Sequence, residues 1–159
     1  NKIIKKNFKP TIYLPHSISD PKETMESIIY LNNKGLIDLK NYKIQNHPVG
    51  KNNPNNIKLI SNINNFKILF NKTKKKKRKK YLIFIGNSGA VIEYLERGYD
   101  VIHICEKNIY DFYSSNIWKS ISNLKIKENV YIYKLKRKGK LIKLGNKKEN
   151  LKNFNHIFK

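Results

Sequence analysis

The chain has 159 residues, with 34 Lys+Arg against 11 Asp+Glu, a formal net charge of +23 and 39% hydrophobic residues. That length holds one modest core rather than two large ones, and no apolar run approaches the roughly 18–20 residues of a membrane-spanning helix. A single cysteine, Cys105, excludes an internal disulfide framework and a multi-cysteine zinc site, and a lone thiol in a strand-like run suits a reducing, intracellular compartment.

Residues 1–18 read as extended, because Pro10 and Pro15 bracket Thr11-Ile12-Tyr13-Leu14 and proline disfavours helix before it. A helix follows. Asp20 is its cap, Pro21 its first position and Glu23 the third residue of a capping box. Met25, Ile28, Ile29 and Tyr30 give it an apolar face, and Gly35 closes it. Residues 36–39 read as a short strand or docking segment, and 45–56 as a loop on Pro, Gly and Asn density. Residues 57–60 and 66–70 read as two short strands joined by an Asn-rich turn.

The second half carries the clearer fold signal. Residues 81–85 (YLIFI) form a continuous apolar run, as in a strand covered on both faces. Gly86-Asn87-Ser88-Gly89 turns the chain, with Asn87 or Ser88 as cap, into a short helix over 90–97 that Gly98 stops. Residues 99–105 read as a second strand, placed by a crossover long enough to be parallel and right-handed. Asn108 caps a longer helix, with Ile109, Phe112, Tyr113, Ile117, Ile121 and Leu124 on one face. Residues 130–136 and 140–144 form a hairpin around Arg137-Lys138-Gly139. The expected fold class is α/β or α+β: a small β-α-β-α-β-β core with an extended basic N-terminal arm and a basic C-terminal hairpin. The expected organisation is an arm over 1–71 with one helix and short strands, a basic linker over 72–80, a core with hairpin over 81–144, and a basic tail over 145–159.

Within this order the charge is uneven. Residues 72–80 hold eight basic residues in nine, whereas 81–128 hold five basic and six acidic residues, and 129–159 hold ten basic and one acidic. Lys, Ile and Asn number 31, 24 and 23, a bias that A/T-rich codons explain; the scarcity of acids is not explained by it. A field this positive calls for a polyanion. The run over 72–80 cannot fold alone, since like charges repel and nothing apolar is there to bury. Lys72, Lys74, Lys75, Lys76, Lys77, Arg78, Lys79 and Lys80 are therefore candidate phosphate contacts, as are Lys134, Lys136, Arg137, Lys138 and Lys140 around the hairpin. Tyr131 and Tyr133 beside them offer base stacking or ordinary packing. The basic opening Lys2, Lys5, Lys6, Lys9 is compatible with an organellar address.

Catalytic and metal signals are sparse. His16, His47, His103 and His156 show no metal-ligand spacing, and neither a G-x-S-x-G elbow nor a P-loop occurs. The strand–turn–helix at 86–89 has the placing of a phosphate or methyl-donor site without the full G-x-G-x-x-G pattern, and Glu106, 20 residues after Gly86, stands where dinucleotide folds keep a ribose-binding acid. Leu95-Glu96-Arg97-Gly98, the run Tyr99-Asp100-Val101-Ile102-His103-Ile104 and a following helix carrying Trp118 resemble the RAP domain of organellar RNA-binding proteins, over about a fifth of the chain. That resemblance implies RNA binding.

The expectation is a non-catalytic RNA-binding protein embedded in a large ribonucleoprotein, most readily a ribosomal protein that neutralises rRNA phosphates. Its expected partners are rRNA and neighbouring ribosomal proteins, and its location the ribosome, in a mitochondrion or other organelle ahead of the cytosol. No cofactor, metal, membrane or small-molecule substrate is expected. Two alternatives stand: a ribosome-bound assembly or dormancy factor, and an enzyme with a degenerate Rossmann-like core such as an RNA methyltransferase.

Overall fold

The computed structural model describes residues 8–69, 79–106 and 118–136. They form an α/β fold with one six-stranded mixed sheet in the order β2-β1-β3-β4-β6-β5. The strands are β1 (Thr11–Tyr13), β2 (Lys43–Gln45), β3 (Leu82–Ile85), β4 (Val101–Ile104), β5 (Ile121–Lys127) and β6 (Val130–Leu135). The helices are α1 (Pro21–Asn33), α2 (Pro54–Leu69) and α3 (Ala90–Glu96). β2, β1, β3 and β4 run parallel; β6 is antiparallel to β4 and to β5. The sheet thus draws strands from both sides of residues 72–80.

Alternation explains the apolar runs. Ile83 and Ile85 of β3, with Ile102 and Ile104 of β4, point to one face and meet Met25, Ile28 and Leu31 of α1 and Leu59 and Ile63 of α2. Leu82, Phe84 and Val101 point to the other, against Val91 and Leu95 of α3 and Tyr133 of β6. Both faces are covered, so every residue of β3 and β4 is buried. α1 has the cap its sequence promises: the Asp20 carboxylate accepts from the Lys22 and Glu23 amides at 2.9 and 3.0 Å, Pro21 opens the helix, and Gly35 follows its C-cap Lys34.

Several expectations are corrected. Residues 57–60 and 66–70 read as two strands, but 54–69 are one helix, α2. Leu59, Ile63 and Phe66 recur at helical spacing and pack on the sheet, and that burial outweighs the poor helix propensity of Asn62, Asn64 and Asn65. The expected loop over 45–56 holds the end of β2 and a 3₁₀ turn over Val49–Asn52. Of the two readings of 36–39, the docking segment holds and the strand does not: the segment runs into a 3₁₀ turn over Leu39–Asn41, with Ile37 and Leu39 buried. Neither Asn87 nor Ser88 caps α3: Gly89 is the N-cap, with no side-chain hydrogen bond. The expected long helix does not reach Ile121 and Leu124, which lie in β5; its start at 108–117 falls outside the described residues. β6 pairs with β5 across Glu128-Asn129, with Asn129 at φ 62°, so the strand expected over 130–136 is the second arm of a hairpin over 121–135; the expected turn at 137–139 and strand at 140–144 lie outside the described residues. Three-residue spacing of Ile121 and Leu124 imitates a helix, whereas pairing with an already anchored β6 satisfies the backbone of a strand. Residues 1–7 of the basic arm and 137–159 lie outside the described residues.

Candidate ligand-binding edge of the sheet

The chain leaves β1 through α1 toward β2 on one side, and leaves β3 through α3 toward β4 on the other. α1 and α3 cover opposite faces. The adjacent strands β1 and β3 therefore flank the point where the winding reverses. In open α/β sheets the loops leaving the carboxyl ends of such a pair splay apart, and the crevice between them takes the ligand. Here those loops are Leu14-Pro15-His16-Ser17 after β1 and Gly86-Asn87-Ser88-Gly89 after β3.

Four strand ends are tied together at this edge. Asn56, fully buried at the start of α2, donates its amide to the Pro15 carbonyl at 2.9 Å and to Asn46 Oδ1 at 2.8 Å, while its Oδ1 accepts from the Ile18 amide at 3.1 Å. Asn53 caps α2 through the Asn55 and Asn56 amides and reaches Ser17 Oγ at 3.2 Å. Gly50 is required beneath them: a Cβ there would stand 2.5 Å from the His16 carbonyl oxygen and 2.8 Å from Asn56 Nδ2. Pro15 lies against Gly86, with Cγ 3.3 Å from where a Cβ would be, and Gly86 has φ +63°, a conformation side-chain-bearing residues rarely adopt. Glu106, after β4, accepts from the Ser19 amide at 2.8 Å.

Two exposed histidines stand on these tied loops. The rings of His16 and His47 are 6.2 Å apart, edge to face. His47 Nδ1 accepts from the Val49 amide at 3.3 Å, so the neutral ring carries its proton on Nε2, a donor. Beyond β4, a cleft of about 270 Å³ is lined by Ser19, Asp20, Glu23, Cys105, Glu106 and Asn129 among others. Cys105 is a buried thiol. No group of three or more His, Cys, Asp or Glu side chains placed to hold a metal ion occurs among the described residues.

The candidate cations lie elsewhere. Lys79 and Lys80 precede β3, Lys134 lies near the end of β6 and Lys136 just after it, and the antiparallel pairing of β6 with β4 brings Tyr133 opposite Val101. All four therefore gather at the amino edge of the parallel strands, away from the crevice. Lys79 forms an ion pair with Asp100, and its Nζ lies 5.6 Å from the Tyr81 ring centre; the hydrogen bond to Asp100 raises the ammonium pKa. Tyr133 is fully buried and Tyr131 stacks on it at 6.2 Å, so the packing alternative holds for Tyr133 and base stacking by it does not. Lys72, Lys74, Lys75, Lys76, Lys77, Arg78, Arg137, Lys138 and Lys140 lie outside the described residues. Trp118 shortly precedes β5, in a non-helical segment that leads into the hairpin.

No family model matches this chain, and neither does any curated protein or solved structure. The sequence singles out Gly86, Gly89 and Glu106, whereas His16 and His47 enter it only as metal ligands without the spacing for one, and 45–56 reads only as a loop. One signal was present: Asn46-His47-Pro48 and Asn53-Pro54-Asn55-Asn56 put polar side chains able to cap and bridge directly after a strand and before a helix.

Proposed function

We propose that this domain binds a phosphate-bearing nucleotide at the carboxyl edge of its sheet, as the nucleotide-holding part of an enzyme. The observation that carries the reading is the reversal of winding between β1 and β3, with His16, Ser17, His47 and the 86–89 turn collected on the loops around it. Imidazoles and backbone amides suit an anion; a methyl-donor sulfonium is a cation, and the carboxylate on the β1, β2 and β3 loops, Asp20, is engaged in capping α1. This favours a phosphate-bearing ligand over the methyltransferase form of the alternative. Glu106 and the cleft beside it offer acceptors for the hydroxyls of an attached sugar. Exposed imidazoles are also the side chains best suited to move a proton near neutral pH.

The test is thermal unfolding of the full chain with CMP, UMP, UDP, ADP and GDP, against S-adenosylmethionine. At about 100 times Kd, linkage adds about 2.7 kcal/mol, roughly 5–10 °C in a domain of this size. Such a rise with one nucleotide and none with the methyl donor supports the reading; no rise with any nucleotide overturns it.

A second reading rests on a separate observation. Lys79, Lys80, Lys134 and Lys136 converge from two segments on the opposite edge, in a chain of net charge +23. That edge suits the phosphate backbone of an RNA such as rRNA, as a ribosomal protein would need. Steeply salt-dependent retention on rRNA tests it.

A further inference from the structure

We infer that His103 is the positioning residue that aims the Asn87 amide at the anionic part of the ligand, an inference that rests on the nucleotide site proposed above. His103 lies in the middle of β4 and is fully buried. It sits on the α3 face with Val101 and Tyr133, directly beneath the turn that leaves β3. Its Nε2 is 2.7 Å from the Gly86 carbonyl oxygen. A carbonyl only accepts, so Nε2 carries the proton and Nδ1 is the acceptor in the neutral ring. Nδ1 has two donors in reach, Tyr133 Oη at 3.3 Å and Cys105 Sγ at 3.3 Å. The ring is held from both sides by groups on buried residues.

The consequence follows from the peptide plane. The Gly86–Asn87 bond is trans, as are all the described peptide bonds. In a trans peptide the C=O and the following N–H point in opposite directions. A Gly86 carbonyl drawn down onto His103 therefore turns the Asn87 N–H up, toward the crevice between β1 and β3. Asn87 is exposed and makes no hydrogen bond to any described residue. Gly86 at φ +63° permits the flip, and His103 decides its direction. Without the buried donor, the Gly86 carbonyl gains by rotating toward water, which turns the amide inward.

The test uses the full chain and two variants. Gln carries an amide nitrogen about as far from its Cα as the Nε2 of histidine, so His103→Gln keeps the donor; His103→Ala removes it. Inorganic pyrophosphate is the probe, followed on the Asn87 amide resonance. Expected in the ligand-free protein is a slowly exchanging imidazole proton on His103 Nε2. Expected on titration is a shift of Asn87 in the wild type, affinity within about threefold for H103Q, and a loss of about tenfold or more for H103A. Pyrophosphate binding that survives H103A, or that H103Q loses as completely as H103A does, overturns the positioning role alone. A wild-type protein that binds no pyrophosphate overturns the underlying site. Should H103A fail to fold, the ligand-free ring decides: an Nε2 without its proton overturns the inference.

Discussion

Asn56 donates to the Pro15 carbonyl at 2.9 Å across 41 residues of chain, and this bond joins the loop after β1 to the first turn of α2. The same side chain holds Asn46 Oδ1 and the Ile18 amide. All of its hydrogen-bonding groups point into the protein, in a place that water does not enter. These bonds tie the carboxyl-edge loops to one another, the preorganisation that the proposed binding requires.

Truncating that residue should be costly. Asn56→Ala leaves the buried Ile18 amide and the part-buried Pro15 carbonyl without their partner, at about 1–3 kcal/mol for the buried amide and less for the carbonyl. We expect a loss of about 2–4 kcal/mol in urea unfolding with the m-value unchanged. A loss under about 1 kcal/mol would mean that the loops are not held by this side chain.

Gly50→Ala tests the same region by addition. The new methyl would press on the His16 carbonyl and on Asn56 Nδ2. One of these is backbone and the other is a side chain fixed by its own bonds, so neither can yield cheaply. About 1–3 kcal/mol of destabilisation is expected. Weaker nucleotide binding should accompany it, since the displaced atom belongs to His16. An alanine variant as stable as the parent would contradict the close approach.

Alkaline pH should destabilise the fold through buried phenols. Burial pushes the Tyr42 hydroxyl well above the ordinary tyrosine range, against the opposing hydrogen bond from the Tyr81 amide, with the Tyr81 phenol and the Asp38 carboxylate adding smaller rises, and burial acts on Tyr81 in the same direction. In the unfolded chain a phenol ionises near pH 10. The folded state holds the neutral form, so the contribution is complete below about pH 10 and is lost as pH rises beyond it. Each such phenol lowers stability by up to about 1.4 kcal/mol per pH unit. Tyr42→Phe removes one slope and, at neutral pH, sacrifices a 3.4 Å hydrogen bond from the Tyr81 amide. Urea midpoints between about pH 8 and 12 should fall less steeply in the variant; parallel curves would refute the assignment.

The amino-edge lysines carry a separate prediction. If RNA phosphates lie there, replacing Lys80, Lys134 and Lys136 together with Gln should flatten the plot of log K against log salt by about 2–3, roughly 0.7–0.9 for each phosphate no longer neutralised. Lys79 is left in place because Asp100 already pairs with it. Filter binding of an rRNA fragment between about 50 and 200 mM salt reads this directly. An unchanged slope would assign RNA binding, where observed, to other lysines.

Some of this was legible locally. A cap is spelled within three residues, so Asp20, Pro21 and Glu23 announced α1. A strand buried on both faces is apolar throughout, so 82–85 and 101–104 announced β3 and β4, and Gly98 the break between α3 and β4. α2 was not legible in the same way. Its asparagines imitate a turn, and it is a helix because Leu59 and Ile63 find the sheet to pack on. Ile121 and Leu124 likewise have helical spacing and become strand only because β6 offers them a partner.

The site divides along the same line. Residue order alone set the local chemistry: a glycine-bounded turn after an apolar strand, a histidine after each of two short strands, and asparagines placed to cap a helix. Only the tertiary structure decided that these share an edge. His16 and His47 are distant in sequence and meet because β1 and β2 pair in parallel. His103 meets Gly86 because β4 lies beside β3 in register. Hydrogen bonding between neighbouring strands is a relationship that the spacing of residues along one chain does not encode, and the crevice exists through that pairing.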